Sequence, residues 1–164
     1  MTIPIPGLDQ LSDDAIFNFC SQIVLPAWLV LLLAPRWKMR KTIVYATILV
    51  NCAVYTATFA ASMGSNEDSF SKIYTEMGTL DGVIKLFTND DVIVPAWVHY
   101  LAFDLTVGNY LVEKNMADRA GLHQLLMAPV LFFTLMAGPI GVLTYTAMRA
   151  FTGLFVSNHA LKTS

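Results

Sequence analysis

Residues 92–112, VIVPAWVHYLAFDLTVGNYLV, form a run long enough to cross a lipid bilayer as a helix, yet they carry an aspartate near the middle. A helix needs ~20 predominantly apolar residues to traverse ~30 Å of hydrocarbon. Three more stretches have the same character, at about 15–34, 43–63 and 130–148. Across the 164 residues, 55% are hydrophobic and only 13% charged, with a mean hydropathy of +0.57. A soluble domain carries roughly 25% charged residues. Four such runs in so short a chain leave too little polar surface to cover them as core helices. The predicted fold is all-α: a polytopic membrane protein whose single domain, 1–164, holds four transmembrane helices. A long polar loop at 64–91 separates the second from the third.

The residues before the first run, GLDQLSDDAIF, are acidic where a cleavable signal needs a basic start, and LLLAPRWKMRK reads as a membrane exit. No Arg- and Ser-rich transit peptide is expected either. The hairpin after the first run carries Arg36, Lys38, Arg40 and Lys41 without an acid. The connection from Gly64 to Asp91 carries Glu67, Asp68, Glu76, Asp81, Asp90 and Asp91 against Lys72 and Lys85. By the positive-inside rule the hairpin faces the cytoplasm, stroma or matrix, and both termini face the lumenal, periplasmic or intermembrane-space side. Thylakoid, bacterial inner and mitochondrial inner membranes are equally compatible with this pattern.

The 64–91 connection is long for a compact bundle. Phe70, Ile73 and Met77, then Val83, Leu86 and Phe87, recur at helical spacing. This predicts one or two short amphipathic helices on the membrane surface, acting as a lid or docking surface or merely as a linker afloat on headgroups. Cys20 and Cys52 fall at different expected depths, so no bridge is predicted. IVLPAW at 23–28 returns as VIVPAW at 92–97, a faint repeat that chance explains as well as duplication.

Asp104 lies about two residues past the centre of the third run. An ionised carboxylate there costs at least ~2.5–3.5 kcal/mol on insertion scales, so a neutral acid with a hydrogen-bond partner is expected. Tyr100, at i−4, shares its helix face, whereas His99 is turned away by ~140°. Asn51 lies two residues before the centre of the second run. In an antiparallel pair it therefore stands level with Asp104, and an interhelical contact worth ~0.6–2 kcal/mol is expected. Such polar residues serve equally as glue that fixes helix register, or as a pocket for the head of an amphipathic lipid. In the fourth run, Pro139 predicts a kink. Gly138 and Gly141 allow close backbone approach, so the bend either packs tightly or opens a groove for a flat lipid or pigment. Arg149 is expected to snorkel to headgroups.

No metal-ligand spacing, glycine-rich phosphate loop or nucleophile elbow is present. The three histidines are too dispersed for a bis-histidine haem site, and the basic hairpin is too short for nucleic acid. No cofactor or metal is therefore expected, and the predicted partners are membrane lipids.

Three motifs together resemble a known family. They are Trp97, His99, Phe103, Asp104, Val107 and Gly108; Gly-Pro-Ile-Gly at 138–141; and Ala-Pro-Arg-Trp-Lys at 34–38. The pattern, spread over about residues 12–153, resembles the small membrane-protein family named for the abscisic-acid-deficient-four protein of plants, which is required for making the xanthophyll neoxanthin. The resemblance implies carotenoid handling or conversion of an epoxy-xanthophyll to an allenic one, an intramolecular isomerisation. Asp104 would be the acid that opens the epoxide and His99 the base, with Tyr100, Asn51, Gly138 and Gly141 lining a lipid or pigment groove. The alternative is a non-catalytic accessory subunit of a larger photosynthetic or respiratory membrane complex.

Overall fold

The computed structural model describes residues 12–63, 69–118 and 121–162. Seven helices account for them: α1 (Asp13–Leu33), α2 (Arg40–Met63), α3 (Ser69–Glu76), α4 (Leu80–Phe87), α5 (Asp90–Ala117), α6 (Gln124–Ala137) and α7 (Pro139–Lys162). No strand occurs among the described residues. Asp13 and Asp14 place negative charge in the first turn of α1, where they offset the positive end of the helix dipole. The hydroxyl of Ser12 caps that end by accepting from the Ala15 amide at 3.2 Å.

Among the described residues two helices are long and apolar enough to cross a membrane, α1 and the Arg40–Ala61 part of α2. Core helices of a soluble protein would bury most of such a stretch, but only 33% and 22% of these are buried. Leu25, Leu29, Leu33 and Leu49 are all exposed. Helix α5 is longer still, and Asp104, His99 and Asn109 lower its hydropathy. Helices α3 and α4 lie where the amphipathic spacing of the polar connection predicts them.

The chain forms two compact units, one of Met1–Val24 and Ala46–Ala102, the other of Leu25–Tyr45 and Phe103–Ser164. In the first unit, Ile16 and Cys20 of α1 pack with Val94 and Val98 of α5. Both pairs have i,i+4 spacing, which puts each pair on a single helix face. Val54 and Tyr55 of α2 close against them. The Trp97 indole donates to Ser21 Oγ at 3.0 Å and lies against the Phe17 ring, 5.3 Å between centroids. Cys20 and Cys52 are both free thiols.

The second unit is held by polar contacts. Arg40, only 3% exposed, donates to Asn109 Oδ1 at 2.7 Å and to Glu113 Oε1 at 3.2 Å. Lys41 pairs with the same carboxylate. Burial acts to raise the Glu113 carboxyl, but hydrogen bonds and charge from Lys41 and Arg40 outweigh it and hold the group below its ordinary value. Gln124 donates to the carbonyls of Leu32 and Leu33, two of the acceptors that the end of α1 leaves without intrahelical partners. Gly108 receives the Trp28 ring so closely that a Cβ there would stand 2.6 Å from it.

The expected fourth span, 130–148, is not one kinked helix. The chain breaks at Gly138, whose φ of 26° and ψ of −79° end α6, and Pro139 starts α7. Glycine alone adopts such a backbone without strain, and proline suits a first helical position because its missing N–H would be unpaired there. A Cβ at Gly141 would collide with Thr134, seven residues earlier; in a continuous helix those residues stand ~10 Å apart. The chain therefore doubles back. Arg149 is ion-paired with Asp118, in the connection that precedes α6, rather than snorkelling to headgroups alone. With 14 residues, α6 is only ~21 Å long, short of the ~30 Å needed to cross.

Candidate functional site

The first unit holds an open-sided cavity of about 510 Å³. Tyr55 and Phe59 of α2, His99 and Tyr100 of α5, and Leu86 and Phe87 of α4 supply much of its wall. Among the described residues no Asp, Glu, Lys or Arg lines it, and His99 is the one ionisable nitrogen base there. The aromatic side chains form a continuous surface. The Tyr55 and Phe59 rings stack at 5.6 Å, Tyr55 stands 5.4 Å from the His99 ring, and His99 lies edge-on to Tyr100 at 6.3 Å.

Local sequence explains how α3 and α4 reach this cavity. Thr79 is the N-cap of α4, with its hydroxyl accepting from the Gly82 amide at 3.1 Å. Gly82 faces the Glu76 backbone at the end of α3 so closely that a side chain would collide with it. The two short helices can thus pack together, and α4 buries Leu86 while Leu80 and Ile84 remain exposed. A pocket of a few hundred Å³, mainly apolar and aromatic with very few polar groups, is the usual form of a small-molecule site.

Of the candidate site residues named from the sequence, the cavity brings together His99 and Tyr100, and the amphipathic positions Ile73, Met77, Val83, Leu86 and Phe87 line it too. The others stand elsewhere. Asp104, in the second unit, is half-buried, and its Oδ1 lies 2.6 Å from where a Gly138 Cβ would be. That puts the carboxyl beside the start of α7, where the first-turn amides carry partial positive charge. In the direction a side chain would take, Gly138 meets Asp104 and Gly141 meets Thr134. Asn51 is fully buried. Its amide donates to Thr47 O at 2.9 Å, one turn back in α2, and its Oδ1 has no hydrogen-bond partner. One amide donor of Asn51 is thus engaged within its own helix. Among the described residues no cluster of three or more His, Cys, Asp or Glu could hold a metal.

The chain's sequence also matches the ABA DEFICIENT 4-like family over residues 15–145. It belongs to that family. The match runs from the first turn of α1 to Tyr145 in α7, so the ABA DEFICIENT 4-like region contains the cavity, Asp104 and the helix break. No curated protein and no solved structure is matched significantly by the chain.

Tyr55 and Phe59 also contribute to the cavity. Their i,i+4 spacing, one aromatic above the other on an apolar helix, was the available signal. Leu86 and Phe87 had already been recognised as amphipathic positions, but without the role of lining a cavity.

Proposed function

We propose that the protein is a multi-pass membrane protein that binds the oxygenated cyclic end group of a xanthophyll in the cavity of the first unit. The observation that carries this reading is one imidazole set in a wall of aromatic and aliphatic side chains. A ring hydroxyl or epoxide oxygen would meet His99, while the apolar ring would lie against Tyr55, Phe59 and Phe87. The polyene would leave by the open side and run along lipid-facing helix surface.

In this reading α1, α2 and α5 cross the bilayer, and α6–α7 form a hairpin that enters and returns at the end of the second unit bearing the basic residues. The Arg40–Glu113 and Arg149–Asp118 pairs support that placement, since they gather both connections and the return of α7 at one end. That end faces the cytoplasm, stroma or matrix by the positive-inside rule, so in this reading α7 returns to that side instead of the lumenal side expected from four full spans.

Conversion of an epoxide to an allene removes a proton from the polyene carbon and delivers one to the epoxide oxygen, so the reaction is an isomerisation with no net proton change. Asp104 does not line the cavity, so His99 would have to act in both steps, accepting from carbon and returning the proton to oxygen. Binding thus has more support than a two-residue acid–base mechanism. Tyr74, Leu80 and Ile84 are all more than half exposed, and this apolar face of α3 and α4 favours the second reading, an accessory subunit docked through that loop.

Expression in cells that make violaxanthin separates these readings. Bound xanthophyll that is lost in His99→Ala supports the pocket, and an allenic product supports catalysis. Pigment-free protein co-migrating with a large complex supports the accessory role.

A further inference from the structure

The second unit holds a different cavity, of about 310 Å³. It lies where the end of α1, the end of α5 and the start of α6 meet. Its floor is apolar and well buried: Leu31, Val112 and Met127 are all 5% exposed or less. Its rim is polar, with Arg36, His123, Asn115 and Gln124. Among the described residues no carboxylate lines it.

Asn115 and Gln124 are committed within the protein, which leaves His123 Nε2 and the Arg36 guanidinium as rim donors. Asn115 clamps the Leu122 backbone, donating to its carbonyl at 2.9 Å and accepting from its amide at 2.6 Å. Gln124 uses its amide nitrogen on the α1 carbonyls. His123 accepts from the Leu125 amide through Nδ1 at 3.3 Å. In the neutral ring this places the proton on Nε2, a donor. The nearby acids are engaged by other cations, Glu113 by Arg40 and Lys41, and Asp118 by Arg149. Among the described residues Arg36 has neither an ion pair nor a hydrogen bond. An unneutralised guanidinium at the mouth of a cavity with an apolar floor is complementary to a phosphate attached to an apolar chain. The volume far exceeds the ~10–15 Å³ that a single water requires, so the space suits a polyatomic headgroup.

We propose that this cavity is a phosphate site whose occupant is the headgroup of an anionic phospholipid, with Arg36 binding the phosphate and the first methylenes resting on Leu31 and Met127. Basic pockets between membrane helices on the cytoplasmic side take such headgroups. This site is independent of the xanthophyll cavity. The test uses purified full-length protein in detergent, titrated with phosphatidylglycerol, phosphatidylcholine or inorganic phosphate, with bound adducts counted by native mass spectrometry. The expected result is one tight phosphatidylglycerol adduct, weakened about fivefold or more by Arg36→Gln and unchanged by Lys38→Gln, which removes the same charge outside the cavity. Competition by inorganic phosphate would identify free phosphate as a sufficient ligand; no competition would assign the site to the lipid. Equal binding by wild type and Arg36→Gln, equal loss in both variants, or no preference for phosphatidylglycerol over phosphatidylcholine would overturn the proposal. Size-exclusion profiles of both variants control for folding, which an exposed Arg36 is not expected to affect.

Discussion

Replacing Gly138 by alanine tests the helix break and the position of Asp104 together. Two costs are expected. At φ 26° an L-residue sits in left-handed backbone space, which costs ~1–2 kcal/mol. The new methyl would also stand 2.6 Å from Asp104 Oδ1, and displacing a packed group of this kind costs a further ~1–3 kcal/mol. Asp104→Ala removes the second cost but leaves the first. A double-mutant cycle therefore has a defined expected shape: Gly138→Ala lowers stability by ~2–5 kcal/mol in the wild-type background, and by only ~1–2 kcal/mol in the Asp104→Ala background. Denaturant or thermal unfolding in detergent measures both. Equal costs in the two backgrounds would show that Asp104 does not contact the break. A negligible cost in both would show that α6 and α7 form one continuous helix.

Three further outcomes follow from the second unit and the cavity roof. The Glu113 carboxyl is held below its ordinary value, so its contribution to stability is full above the unfolded carboxylate range and is lost as pH falls through the folded value. The melting temperature should drop on acidification below about pH 4.3, and Glu113→Gln should flatten that limb; an unchanged profile would refute the pairing. Gly108→Ala puts a methyl 2.6 Å from the Trp28 ring. It should cost ~1–3 kcal/mol and shift indole fluorescence, with partial recovery in Trp28→Leu. Gly82→Ala forces α4 away from the Glu76 backbone and should weaken any ligand held by Leu86 and Phe87 while leaving the melting of the second unit unaltered.

Hydropathy and spacing were sufficient to locate α1, α2, α5 and the amphipathic pair α3 and α4, because each depends on local pattern. They were insufficient for the fourth run. Gly138-Pro139 is compatible with a kink or a reversal, and the choice rests on contacts distant in sequence, Gly141 with Thr134 and Arg149 with Asp118. The basic hairpin illustrates the same limit. Arg40 and Lys41 were counted as orientation charges, yet they neutralise Glu113, 73 residues from Arg40. Asn109 and Glu113, one turn apart on α5, were a readable hint of an acceptor face. His99 and Tyr100 were picked out beside Asp104 on a single helix. The cavity they share is built by α2 and α4, whose approach no single-helix pattern encodes.

The most direct measurement is the pigment content of purified protein. Wild-type protein incubated with violaxanthin in detergent should retain close to one xanthophyll per chain after size exclusion, with a shifted absorption band, and His99→Ala or Phe59→Trp should retain little while keeping the same elution volume. If wild-type protein emerges free of pigment, or all three proteins carry the same amount, the cavity of the first unit is not a xanthophyll site.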